Sequence, residues 1–340
     1  MKKQNEILWL SVLQGWSMLL VVIGHITLTN GVNDYATPIG TIAMQIQHII
    51  YGFHMPLFML ISGFLFYFTQ IRKEKLYKET IVAKLKRLGV PFLFFTTACL
   101  FLKFAFNPLM KRPVEFSYRI ITDSLFITSG GNPLGEMWFI FTLLILFMFY
   151  PLYKVSLQKT IYIVSFVVFA ILLNLFFPTG IKFLCLSQIA KFLVFFYAGI
   201  LLSKYEFYKK LDSWLIFAIC VVVFAFLWIV EAPQIITALV GITASFSLCL
   251  CIVHYLPNLF SSFRDYTFQI FLIGIFPQIA IRFLYAKIIA EIQYNAMLHG
   301  IIYIFLYITS ILIALYIPAF IAKTVEKIPY KWIRMCFGLS

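Results

Sequence analysis

His25 and His54 are the residues of this chain best placed for chemistry, because each stands in a segment otherwise suited to lipid. His25 ends the apolar run VVIGH (21–25), and His54 lies within YGFHMPLFMLISGFLFYF (51–68). An ionisable side chain at membrane depth is expensive to keep, so by default it marks a function. Histidine's own chemistry is proton exchange near neutral pH. The two segments are expected to frame a reaction site that the other helices hold in place.

Spacing adds candidates around each histidine. Gln14 lies eleven residues before His25, almost three helical turns, so both project from one face. Ser11, Gln14, Ser17 and His25 make a polar stripe suited to lining a cavity; the plainer alternative is an interfacial His25 bonded to a neighbouring carbonyl. Two residues after His54, Pro56 removes a backbone donor and predicts a disturbed helix around residue 52. Carbonyls freed at such a break line cavities rather than lipid. Ser62-Gly63 is expected to be a close-packing site or a second kink.

Other polar residues lie farther along. Trp138, in GEMWFIF, falls where an outer aromatic belt is expected, and Glu136 beside it is a carboxylate placed to orient a histidine or to sit solvated in a loop. The stretch 70–87 is basic and amphipathic, with Lys84 and Arg87 one turn apart before Pro91. It suits an anchor on anionic headgroups or a dock for a polyanionic cytoplasmic ligand. Lys191, Arg282 and Lys287 are polar intrusions in apolar segments that pair with lipid or line the cavity.

The elements that position these residues follow from composition. The 340 residues are 62% hydrophobic, 19% aromatic and 12% charged, which excludes a soluble fold and requires helices crossing a bilayer. Hydropathy gives ten candidate spans near 7–29, 43–69, 88–106, 136–153, 160–177, 186–203, 213–230, 235–254, 267–288 and 300–322. Residues 116–128 are too short and too polar to span, and read as an amphipathic or re-entrant piece. The apolar run after MKKQNE continues for about 20 residues with no A-x-A-like site after it, as a retained first span would.

The formal charge of +14 points to the membrane rather than to nucleic acid, because Lys and Arg cluster in short loops beside apolar segments. Nineteen fall on the side of both termini and five on the other, which predicts cytoplasmic termini. The fold class expected is all-α, a polytopic integral membrane protein forming one domain over 1–340. Six cysteines show neither CxxC nor metal spacing and read as reduced filler. No Walker loop, zinc site, GxSxG elbow or dinucleotide fingerprint is present.

The chain resembles membrane acyltransferase family 3, particularly its fucose 4-O-acetylase-like, polysaccharide-modifying branch. The resembling stretches are LSVLQGWSMLLVVIGH (10–25), FHMPLFMLISGFLF (53–66), KLKRLGVPF (84–92), MWFIF (137–141) and FFYAGIL (195–201). The resemblance implies transfer of an acyl group, usually acetyl, from acyl-CoA to a hydroxyl of an envelope sugar, polysaccharide or lipid-linked glycan. It implies a multi-pass protein of the inner (plasma) membrane, with acyl-CoA as co-substrate, no metal and no permanently bound cofactor. His25 falls on the family's motif histidine, as general base on the sugar hydroxyl or as covalent acyl relay. His54 also falls on a motif position, as do Ser62 and the pair Lys84 and Arg87, which would meet the CoA phosphates. Gln14, Ser62, Glu136 and Trp138 are the expected substrate-binding residues. The sequence departs from the family in two places. Ser11 and Gln14 stand where an acid and a base are usual, and the late YLIH-like segment reads IFLIGIFP (270–277), without histidine. A diverged member that exports or translocates a polysaccharide is the alternative.

Overall fold

The computed structural model describes residues 2–28, 38–107, 117–292 and 296–339, with the side chains of 2–7, 128–129, 289–292 and 296 excepted. Of the basic residues used in the charge count, Lys111 and Arg112 lie outside the described residues, as do the side chains of Lys2 and Lys3. The chain is an all-helical, polytopic membrane protein, with no strand among the described residues. Among the described residues, six helical stretches are long and apolar enough to cross a bilayer: Leu8–His25, Pro38–Ile71, Tyr77–Ala105, Phe183–Lys204, Gln234–Ile252 and Met297–Glu326. Two bent helix pairs bring the number to eight if each is one span, and Thr160–Phe176 and Trp214–Ile229 are shorter apolar helices. Residues 116–128, expected not to span, contain the nine-residue helix Tyr118–Phe126, whose first turn is capped by the Ser117 hydroxyl.

The first helices are α1 (Lys2–His25), α2 (Pro38–Tyr51), α3 (His54–Phe66), α4 (Tyr77–Lys84) and α5 (Val90–Ala105). All six cysteines are free thiols. The helices group into two compact units, one made of 1–58 and 207–327 and the other of 59–206 and 328–340.

In the first unit α1 packs against α2 and against the helices Gln234–Ile252, Thr267–Ile273 and Ala296–Glu326. Its apolar face, Met18, Val21 and Val22, joins Ile270, Tyr303, Leu306 and Leu315 in the core. The chain bends by 59° between Arg264–Ile273 and Ile275–Ile288. Gly274 sits at that bend because a Cβ there would meet the Ile270 carbonyl at 2.6 Å and the Ala314 carbonyl at 3.1 Å. The segment IFLIGIFP therefore has glycine at the position where the backbone leaves no room for a side chain.

In the second unit the Ser62-Gly63 pair packs rather than kinks. A Cβ on Gly63 would run into the Phe196 carbonyl, and one on Gly199 into the Leu60 carbonyl. Each helix thus presents a glycine to the other's backbone, the small-residue contact by which membrane helices associate without a hydrophobic driving force. Phe66, Phe147, Tyr150, Tyr153 and Phe196 pack ring to ring beside this crossing.

Buried Asn132 ties the turn before helix Met137–Met148 to α5. Its amide donates to the Thr96 hydroxyl (2.9 Å) and the Ser124 carbonyl (2.8 Å), and its oxygen accepts from Leu134 N–H (2.9 Å). Asn132→Ala is expected to cost about 2–4 kcal/mol, because it strands buried polar partners. Thermal unfolding of the detergent-purified protein measures this.

Candidate active site

The histidines come together in the first unit. His25 is the last residue of α1, and His54 begins α3 after a break at Gly52-Phe53, where the proline placed it. Their ring centroids lie 5.8 Å apart, edge to face, with the rings 85° from parallel. His25 is half-buried and His54 is fully buried. Each ring is fixed by its own helix. His25 Nδ1 meets the Val21 carbonyl at 2.8 Å, and His54 Nδ1 meets the Ile50 carbonyl at 2.9 Å. A carbonyl oxygen only accepts, so Nδ1 carries a hydrogen in each ring, and the neutral form of either ring has its lone pair on Nε2. His25 thus has the carbonyl bond of the plainer reading and stands beside a second imidazole as well.

The break itself is satisfied from outside the helix. Pro56 donates nothing to the Gly52 carbonyl, and the Gln234 side chain donates to it instead at 3.4 Å. His54 Nε2 has no such partner among the described residues. A buried acceptor that no side chain or backbone donor meets lowers stability. His54→Leu is therefore expected to leave thermal stability equal to or above wild type. The unfolding temperature of the detergent-purified variant against wild type checks this.

Sequence reasoning missed two neighbours. The Tyr51 ring lies 5.5 Å from His25 and 4.9 Å from His54. The Gln47 amide donates to the Gly24 carbonyl, tying α2 to the turn that carries His25. Gln47, Tyr51 and His54 follow one another at helical i, i+4, i+7 spacing, which was the available signal. Arg282, expected to pair with lipid or line the cavity, donates through Nε to the Thr27 carbonyl (2.9 Å) and through its terminal nitrogen to the Thr27 hydroxyl (2.8 Å), two residues past His25.

Gln14 is half-buried on α1, and eleven residues at a rise of about 1.5 Å put it roughly 16 Å along the axis from His25. The two share a helix without sharing a contact.

The remaining candidates belong to the second unit. Ser62 is half-buried beside Gly63. Glu136 is half-buried just before helix Met137–Met148, and Trp138 on that helix stacks on Phe192 at 5.4 Å. Lys84 turns inward, its ammonium 4.2 Å from the centre of the Phe147 ring and 5.8 Å from that of Phe66, whereas Arg87 is exposed. The basic stretch begins on a π-helical turn, Arg72 N–H bonding the Tyr67 carbonyl, and Tyr150 OH pins it by donating to the Lys75 carbonyl (2.8 Å). Arg72, Lys73, Lys75, Lys78 and Lys86 are exposed on it with Arg87.

The class these features define is an all-helical, polytopic membrane protein that holds two imidazoles side by side. A family profile described as an acyltransferase domain matches residues 7–321, and the chain belongs to that family, acyltransferase family 3. The nodulation protein NolL of Mesorhizobium japonicum is 30% identical over 155 residues, which cover 45% of this chain. The match spans 37% of that relative's length. No solved structure matches the chain.

Proposed function

We propose that this membrane protein is an O-acyltransferase that moves an acyl group, most simply acetyl, from acyl-CoA to a hydroxyl of an envelope sugar, polysaccharide or lipid-linked glycan. One observation carries the reading. Two imidazoles stand edge to face, each with Nδ1 committed to a carbonyl and Nε2 left as a base. His25, the more accessible, takes the proton of the acceptor hydroxyl as that oxygen attacks the thioester carbonyl carbon. Val21's carbonyl and the carbonyl end of α1 lie where the imidazolium's positive charge develops. Collapse of the tetrahedral intermediate breaks the carbon–sulfur bond, and the imidazolium returns its proton to the departing thiolate. His54 positions the pair from its buried site.

Six long spans, two bent pairs and two shorter helices make ten crossings on this reading, with both termini cytoplasmic and the protein in the plasma membrane. The exposed basic residues of 70–87 then face the cytoplasm, where CoA phosphates favour clustered Lys and Arg, and Lys84 and Arg87 remain the proposed CoA contacts. Radiolabelled acetyl-CoA incubated with the purified protein, with and without glycan, tests the proposal. Glycan-dependent transfer of label supports it, and its absence from wild type under all acceptors tried refutes it.

The uncharged Gln14, far from the histidines, favours one second reading, polysaccharide export without catalysis. That reading has polymer retained inside cells lacking the gene while its acetylation stays normal.

A further inference from the structure

The break between α2 and α3 carries a cluster that the acyl-transfer chemistry does not use. His48 is exposed on α2, and its ring stands edge-on to Trp228 with centroids 5.0 Å apart. Trp228 in turn covers Gly52, where an added Cβ would come within 3.1 Å of the indole. Gln234, exposed, reaches the Gly52 carbonyl with one amide hydrogen, and its oxygen and second hydrogen take no other bond among the described residues. Tyr51 completes the group. Its ring lies against both histidines, yet 45% of its surface is accessible. All these residues belong to the first unit and surround one two-residue turn.

We propose that His48, Tyr51, Trp228 and Gln234 form a pyranose-binding subsite that presents a sugar hydroxyl to His25. The chemistry of the four fits a sugar ring. Tyrosine and tryptophan offer flat apolar faces with polar tips, which suit the C–H face of a pyranose. The amide of Gln234 and the imidazole of His48 supply the few convergent donors and acceptors that fix orientation in a mostly aromatic site. Continuity through Tyr51 links this surface to the catalytic pair. Gly52 keeps Trp228 close, since any larger residue pushes the indole away. The inference rests on the acyl-transfer reading only for the role of the bound sugar as acceptor; the binding itself stands apart from it.

Saturation-transfer difference NMR on the full chain in nanodiscs separates the two. The probes are methyl α-L-fucoside, methyl β-D-glucoside and methyl N-acetyl-β-D-glucosaminide in equal amounts. Wild type is expected to saturate the ring C–H protons of at least one glycoside. Tyr51→Ala and Trp228→Ala are each expected to reduce that signal at least fivefold, and Tyr51→Phe to retain it. No saturation in wild type, or equal signals from wild type and both alanine variants, overturns the proposal. Because no acyl donor is present, failure of acetyl transfer with retained saturation counts against the acyltransferase reading alone. Transfer without saturation counts against the subsite alone.

Discussion

Replacement of His25 by alanine is expected to lower glycan-dependent acetyl transfer by about 10²–10⁴-fold, the usual contribution of a positioned general base. The expectation rests on the tautomer that Val21 enforces, since His25 offers the lone pair of Nε2 to the acceptor only while Nδ1 carries the proton. His25→Gln keeps a side chain of similar reach, but its amide nitrogen is no base, so it should fall nearly as far. Stability should change little, because His25 is half-buried and its one hydrogen bond among the described residues is to its own helix. Radiolabel transfer and thermal unfolding on the same preparations decide the matter. Transfer within threefold of wild type would remove His25 from the chemistry.

The second large effect concerns folding. Gly63→Ala should destabilise the protein by about 3 kcal/mol or more, at or beyond the upper end of the usual cost of overpacking. The obstacle is the Phe196 carbonyl, which no rotamer change can move, so the two helices must separate. Gly199→Ala meets the Leu60 carbonyl in the same crossing and should cost a similar amount. Once one alanine has parted the helices the second has less left to disturb, so the double variant should fall short of the sum. Gly135→Ala serves as the control, because no atom of the described residues lies within 4 Å of its added Cβ. Unfolding temperatures in detergent give all four values. A Gly63→Ala protein as stable as the control would rule out the close crossing.

The two glycines show how far a linear reading reaches. Gly63 followed a serine in an apolar segment, which marks a small-residue site, but nothing in the sequence tied it to Gly199, 136 positions later. A backbone contact is a relation between two helices, and neither helix encodes its partner's surface. The same holds for Gly274. Its place in IFLIGIFP reads as the loss of a histidine, yet the carbonyls of Ile270 and Ala314 close that position to any side chain. Lys84 and Arg87 differ for a related reason. One turn apart in a basic stretch they read as a matched pair, but Lys84 lies over the Phe147 and Phe66 rings while Arg87 stays exposed. Cation–π contact depends on rings supplied from outside the stretch.

By itself, the sequence determined the solvent and the secondary structure of this protein. A chain 62% hydrophobic and 12% charged has to satisfy its backbone within helices in a bilayer, and Pro56 has to break the helix it enters. It also singled out His25 and His54, because an imidazole among leucines and phenylalanines is costly wherever it lies. Only the tertiary structure decided that the two rings meet at 5.8 Å, that Tyr51 lies against both, and that Gln14 stays about 16 Å away on the shared helix. Helical periodicity fixes the face on which a residue stands. Distance between residues on different helices comes from packing, and packing is where α2 and α3 were brought to the end of α1.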